Sequence, residues 1–83
     1  MENQEQLPWE IEKIIEVANS LASTGNSGAS TGERIAAAFV LNNPAYLPSY
    51  YNDMVEAWDR LGDEWQGYVR LIKQDYMHLI EDD

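Results

Sequence analysis

Ser30-Thr31-Gly32-Glu33-Arg34-Ile35-Ala36-Ala37-Ala38-Phe39-Val40-Leu41 is the stretch that decides the fold. Ser30 followed three residues later by Glu33 matches a capping box, a reciprocal pair of hydrogen bonds that starts a helix. The run from Ile35 to Leu41 is apolar on every side, which is typical of a helix buried inside a bundle. Pro44 ends the helix because proline disfavours helix at the residue before it. The pattern predicts a central helix over residues 31–43.

The preceding residues predict a first helix over 8–22. Its apolar residues recur at helical spacing and form one stripe: Ile11, Ile14, Ile15, Ala18, Leu21 and Ala22. Pro8 suits the first helical position, where its missing N–H would have no partner. Residues 23–32 hold three glycines and no large apolar residue, which predicts a loop. We interpret this loop as a connector, because no lysine follows its glycines as in a phosphate-binding loop.

Residues 49–80 are predicted to form a long, aromatic-rich C-terminal helical segment. Its apolar residues keep one helical phase: Tyr51, Met54, Val55, Trp58, Leu61, Trp65, Tyr68, Val69, Ile72, Tyr76, Leu79 and Ile80. One reading is a single helix about 45 Å long. The other is two helices broken at Gly62, with Asp63 as N-cap and Gln66 three residues on. An unbroken helix would overhang its neighbours, which favours either a break or a dimer that covers the excess. Of these two, we favour a break or kink near Gly62.

These segments together predict an all-α fold, a small bundle of three to four helices in one domain spanning residues 1–83. A chain of 83 residues has room for one domain with a modest core. It contains no cysteine, which excludes disulfides and thiolate metal sites. The longest apolar run is far shorter than the roughly 20 residues that span a membrane, and the N-terminus does not match a signal peptide. We therefore expect a cytoplasmic protein.

The formal charge of −10 is concentrated at the two ends of the chain. Residues 1–22 carry five acidic residues against one lysine, and residues 49–83 carry nine against three basic residues. Residues 23–48 carry one charge of each sign. Such a field repels nucleic acids and anionic membranes and attracts basic proteins. Solubility alone is the competing explanation.

Catalytic chemistry is poorly represented in the sequence. His78 is the only histidine, and Asp75 three residues before it would need a second such pair to build a bundle metal site. Neighbouring acids such as Asp63 and Glu64 point in different directions on a helix. We therefore expect a binding protein that is not an enzyme and has no cofactor or metal.

The candidate binding residues are acidic. Five fall on the side of the C-terminal segment away from the aromatic stripe: Asp53, Glu56, Asp59, Asp63 and Glu64. On a continuous helix, acids one turn apart are spaced by about 5.4 Å, which resembles the charge repeat of a nucleic-acid backbone. Glu12 and Glu16 add a second acidic row on the first helix. The competing interpretation is an ordinary polar helix surface.

Three apolar residues are candidates for contact with a partner or a second copy of the chain. Trp9 is placed opposite the apolar stripe of the first helix, and tryptophan is enriched at binding hot spots. The alternative is that it folds back onto side chains at the helix start. Leu71 and Met77 lie off the main stripe of the last helix, and they either mark a homodimer contact or widen the buried surface.

Several segments resemble small uncharacterised helical proteins of bacterial mobile elements and phages. They are the run from Ile11 to Ala18, Thr24-Gly25, the alanine-rich run from Arg34 to Leu41, and the run from Trp58 to Leu61. The segment from Asn26 to Ser30 and the lack of an arginine pair before the second helix depart from that pattern. By size, acidity and lack of catalytic groups, the chain is similar in type to anti-CRISPR proteins and other nucleic-acid mimics.

Three functions are therefore expected as alternatives. The first is an inhibitor that binds a basic, nucleic-acid-handling protein, such as a CRISPR effector, through the residues from Asp53 to Glu64. The second is a helical interaction module that self-associates, with acidity serving solubility. The third is an antidote or immunity protein that covers the active site of a toxin.

Overall fold

A computed structural model of the chain describes residues 8–25, 28–48 and 53–80. Within these ranges 84% of the residues are helical, and none forms a strand. The three α-helices are α1 (Trp9–Thr24), α2 (Thr31–Leu41) and α3 (Met54–Leu71). A 3₁₀ turn at Pro44–Tyr46 follows α2, and a π-helical segment at Ile72–Tyr76 and a 3₁₀ turn at Met77–Leu79 follow α3. The predicted small all-α bundle is confirmed.

Helix α2 is the centre of the bundle, as predicted. It packs along both α1 and α3, whereas α1 and α3 touch each other much less. Its buried residues are Ile35, Ala36, Ala37, Ala38 and Val40. Three successive alanines leave α2 narrow, so helices can approach it from different sides.

The start of α2 is a complete capping box. The Ser30 hydroxyl accepts a hydrogen bond from the Glu33 backbone N–H at 3.3 Å, and the Glu33 carboxylate accepts one from the Ser30 N–H at 3.1 Å. At the other end Asn42 adopts the left-handed conformation and its N–H bonds the Ala38 carbonyl. Local sequence therefore determines both ends of the central helix.

Replacing Ser30 by alanine is expected to destabilise the protein by about 1 kcal/mol, because the Glu33 N–H loses its capping acceptor. Ser23→Ala is the control, since the Ser23 hydroxyl makes only a long 3.4 Å bond to the Ser20 carbonyl in an exposed position. Urea unfolding of both variants measures the difference. Equal stability of the two variants would contradict the role of the capping box.

Helix α1 extends differently from the prediction. Pro8 is the N-cap and not the first helical residue, since its ψ of 144° is extended. The helix continues past residue 22 to Thr24 and ends at Gly25, whose φ of 75° is left-handed and whose N–H bonds the Leu21 carbonyl at 2.8 Å. The connector before α2 is therefore shorter than predicted.

Helix α3 is kinked at Gly62. This residue has φ 82° and ψ 165°, a non-helical conformation inside an otherwise helical segment. Asp63 is consequently the first helical residue after the kink, not the N-cap. Instead of completing a capping box with Asp63, the Gln66 side chain donates a 2.7 Å hydrogen bond back to the Trp58 carbonyl. Of the two sequence readings, the broken one is the one observed.

The inward side of α3 differs from the predicted stripe near its start. Val55 is 68% exposed, whereas Ala57 is fully buried against Ile35, Ala38 and Leu47. Asp53 caps α3, so the helix begins at Met54 and its first turn turns Val55 outward. The small Ala57 side chain allows α3 to lie close to α2. The predicted start of this segment at residue 49 lies outside the described residues, as does Tyr51.

The chain after α3 packs on α1. Ile72 and Ile80 are buried in the same core cluster as Ile11, Ile14 and Leu21. The Asn19 amide donates a hydrogen bond to the Leu79 carbonyl at 3.2 Å. The predicted regular helix to residue 80 is replaced by π-helical and 3₁₀ turns, which let Ile80 reach the core while Leu79 stays partly exposed.

Candidate functional site

All five nominated acids of the C-terminal segment are solvent-exposed, and we call these five residues together the acidic face. Its members are Asp53, Glu56, Asp59, Asp63 and Glu64. Among the described residues, no charged side chain is buried in the core. The charged side chains of the described residues are therefore accessible to solvent and to a binding partner.

Two members of the acidic face also have structural partners. Asp53 caps α3, because its carboxylate accepts a hydrogen bond from the Val55 N–H at 2.9 Å. Glu64 accepts a hydrogen bond from the Tyr68 hydroxyl at 2.8 Å. Glu56, Asp59 and Asp63 have no hydrogen-bond or ion-pair partner in the described part of the chain. These three carboxylates are the ones available to a partner.

The acidic face is not a continuous row. Asp53, Glu56 and Asp59 precede the kink at Gly62, and Asp63 and Glu64 follow it. The regular spacing of about 5.4 Å that a straight helix would give therefore cannot run through the whole set. The face consists of two short acidic groups at an angle set by Gly62.

Val55 is an apolar member of this surface that the sequence pattern assigned to the core. It precedes Glu56 and lies one helical turn before Asp59, and 68% of its surface is exposed. An exposed apolar side chain near unpaired carboxylates offers a partner an apolar contact beside the charged groups. No signal in the sequence reveals its exposure, because the apolar periodicity includes Val55 and the burial of Ala57 depends on packing against α2.

The second nominated acidic row, on α1, is partly neutralised. Glu12 and Glu16 are both exposed. The Glu16 carboxylate lies 3.7 Å from the Lys13 ammonium one turn away, and the two side chains are 70% and 42% exposed. Such exposed pairs contribute little to stability but reduce the local negative charge. Glu12 is therefore the member of this row without an ion-pair partner among the described residues.

The nominated apolar residues are all exposed. Trp9, the first residue of α1, is 65% exposed, so it does not fold back into the protein. Leu71 and Met77 are 37% and 39% exposed, so each is partly covered by the protein and partly accessible to a partner. These residues remain candidates for contact with a partner or a second copy.

Tyr68 connects the acidic face to α1. Its hydroxyl bonds Glu64, and its ring packs edge-on against Trp65 with ring centroids 5.9 Å apart. The hydrogen bond to Glu64 is the main reason that the pKa of Tyr68 is raised to about 12, with partial burial and the Glu10 carboxylate adding to it. The neutral phenol is therefore the form that donates the hydrogen bond to Glu64.

Glu64→Gln is expected to lower the pKa of Tyr68 towards its ordinary value of 10.0, because the charged acceptor is lost. A raised folded pKa means that the phenol's contribution to stability is complete below pH 10 and is lost as pH rises towards 12. Absorbance titration near 295 nm, taken as the difference from a Tyr68→Phe variant, measures this pKa. Glu56→Gln is the control and leaves it unchanged; equal shifts in both variants would contradict the assignment to Glu64.

A cleft that sequence patterns did not reveal lies between the end of α2 and both halves of α3. Its volume is about 260 Å³, and it is lined by Phe39, Asn42, Trp58, Val69, Arg70 and Lys73. We call it the cationic cleft, because two of the five basic residues of the chain meet there. No local motif marks it, since its lining comes from residues up to 34 positions apart.

The structure contains no evident centre for metal chemistry in the residues it describes. No three potential ligands among them approach closely enough to hold a metal ion. Within the same residues, no helix has the length and apolar character needed to cross a membrane. Comparison of the chain with protein-family models, with curated proteins and with solved structures finds no match.

Proposed function

We propose that this protein is a binding protein without catalytic activity that inhibits a basic, nucleic-acid-handling protein by occupying its nucleic-acid groove. A CRISPR effector is one such target. The observation that carries the proposal is the acidic face, in which Glu56, Asp59 and Asp63 are exposed and have no cationic partner among the described residues.

Unpaired like charges on one helix are unfavourable in the isolated protein. Carboxylates one helical turn apart repel each other by a few tenths of a kcal/mol per pair. The chain has 15 acidic residues and only five basic ones, so most of its carboxylates have no basic residue to offset this repulsion. A partner lined with lysine and arginine would relieve it and would be attracted from a distance by the net field.

The kink at Gly62 gives the acidic face a bent outline. Two acidic groups set at an angle fit a curved basic groove better than a straight groove, because each group can contact a different wall of the groove. Val55 is exposed beside Glu56 and Asp59 of the first group and would be covered on binding, which adds an apolar contribution to an electrostatic contact.

Displacement of nucleic acid tests this function. Labelled DNA or guide RNA is bound to purified basic proteins, with CRISPR effector complexes first, and fluorescence polarisation is followed as the protein is added. We expect displacement at 50 mM salt that weakens steeply by 500 mM, because the contact is between exposed charges. Displacement that is independent of salt would contradict the role of the acidic face.

A second candidate is self-association, which the exposure of Trp9, Leu71 and Met77 favours. Large apolar side chains that remain exposed in a small domain are common at protein interfaces. Light scattering across a concentration series distinguishes this candidate. A strict monomer at high concentration in high salt, where charge repulsion is screened, would eliminate it.

A further inference from the structure

We propose that the cationic cleft is a binding site for a small aromatic oxyanion, a ring of phenyl size that carries one carboxylate or phosphate group. This proposal is independent of the acidic face. It rests on the composition of the cleft, on the unused donors of its two cations and on its size.

The guanidinium of Arg70 is oriented by the aromatic floor of the cleft. Its central carbon lies 5.3 Å from the centre of the Trp58 ring, within the range of a cation–π contact. Trp58 is in turn fixed by Phe39, whose ring packs edge-on at 5.0 Å. None of the N–H groups of Arg70 donates to a described residue, so its planar fork is available for two bonds to an oxyanion.

Lys73 supplies the second cation. Its ammonium donates one hydrogen bond, at 3.2 Å, to the Phe39 carbonyl in the last turn of α2. An ammonium has three donors, so two remain after this bond. The bond also holds Lys73 at the cleft, which reduces the entropy that a ligand must overcome to order it. Neither Lys73 nor Arg70 has a carboxylate partner in the described residues.

The size and lining of the cleft select the rest of the ligand. Its volume of about 260 Å³ is just below the roughly 300 Å³ at which sites for drug-sized molecules begin. This volume holds one aromatic ring with one anionic group. Phe39, Trp58 and Val69 provide an apolar surface for the ring, and the two cations provide the anion contact. The negative charge elsewhere on the protein is screened over about 8 Å at physiological salt, so the local cations dominate the site.

Nuclear magnetic resonance titration with phenyl phosphate tests the site. We expect saturable shifts at the backbone amides of Phe39, Asn42 and Val69 and at the Trp58 indole N–H. Inorganic phosphate has the anionic group without the ring, and benzyl alcohol has the ring without the anionic group. Each should bind at least about tenfold more weakly than phenyl phosphate. Shifts that do not saturate, or that centre outside these residues, would overturn the proposal.

Two variants and one control assign the contact to the cations. Arg70→Gln and Lys73→Gln should each weaken phenyl phosphate binding about tenfold, because each removes charge-assisted hydrogen bonds. Arg60→Gln removes the same charge from an exposed position of α3 outside the cleft and should leave the affinity unchanged. If Arg70→Gln disturbs the packing of Trp58 and unfolds the protein, the Lys73→Gln variant alone tests the contact, because Lys73 is exposed. If Arg60→Gln and Lys73→Gln lowered the affinity for phenyl phosphate equally, general charge attraction would account for the binding, and the proposed site would be wrong.

Discussion

Replacing Asp59 by lysine is expected to lower the affinity for the basic target protein about tenfold, because an attractive contact becomes a repulsive one. Asp59 is chosen because it is exposed and makes no bond to a described residue, so its replacement leaves the fold intact. Reversing Glu56, Asp59 and Asp63 together should lower the affinity by about a thousandfold, provided that the three effects add. Fluorescence polarisation competition against the labelled nucleic acid measures both changes.

Asp75→Lys is the matched control for Asp59→Lys. Asp75 is also exposed, changes the net charge by the same amount and lies in the π-helical segment away from the acidic face. Its reversal should change affinity less than threefold. If the two reversals weakened binding equally, net charge alone would account for the interaction, and the acidic face would lose its assigned role.

Gly62→Ala is expected to destabilise the protein by about 1–3 kcal/mol, because alanine does not readily adopt the backbone conformation of this position. At φ 82° and ψ 165°, Gly62 occupies a region that is nearly closed to residues with a side chain. No heavy atom lies within 4 Å of an added Cβ, so the cost comes from the backbone and not from a clash. Thermal and urea unfolding measure the loss, with Tm falling about 4–8 °C per kcal/mol.

Gly67→Ala is the control, and its expected effect on stability has the opposite sign. Gly67 is exposed within the same helix, and an added Cβ would again contact nothing within 4 Å. It does not have a positive φ, so alanine should stabilise the protein by about 0.5–1 kcal/mol through higher helix propensity. If Gly62→Ala were also stabilising, α3 would be a straight helix and the acidic face a continuous row.

Local features of the sequence predicted much of this fold. The capping box of Ser30 and Glu33 involves residues three positions apart, so it is readable without knowledge of the tertiary structure. The apolar run from Ile35 to Leu41 indicated the central position of α2, because an all-apolar helix must be covered on every side. The exposure of the acidic face was also predictable, since charged side chains are rarely buried without partners.

Other features depend on tertiary packing. Apolar periodicity reports an average direction over many residues, so it placed Val55 in the core and did not identify Ala57, whose small size matters only beside α2. The same periodicity continues across Gly62, because a one-residue kink can keep the apolar residues on one side. The cationic cleft was unpredictable for a related reason: Phe39 and Lys73 meet only after α2 and α3 have packed.

The hydrogen bond between Asn19 and Leu79 has a consequence for the kinetics of folding. Helices α1, α2 and α3 each pack mainly on the next helix along the chain, and such local contacts form rapidly. The contact between Asn19 and Leu79 closes a loop of 60 positions, which carries a greater entropic cost and therefore forms late. During synthesis on the ribosome, the apolar surface of the paired helices α1 and α2 therefore stays exposed until Ile72 and Ile80 have emerged to cover it.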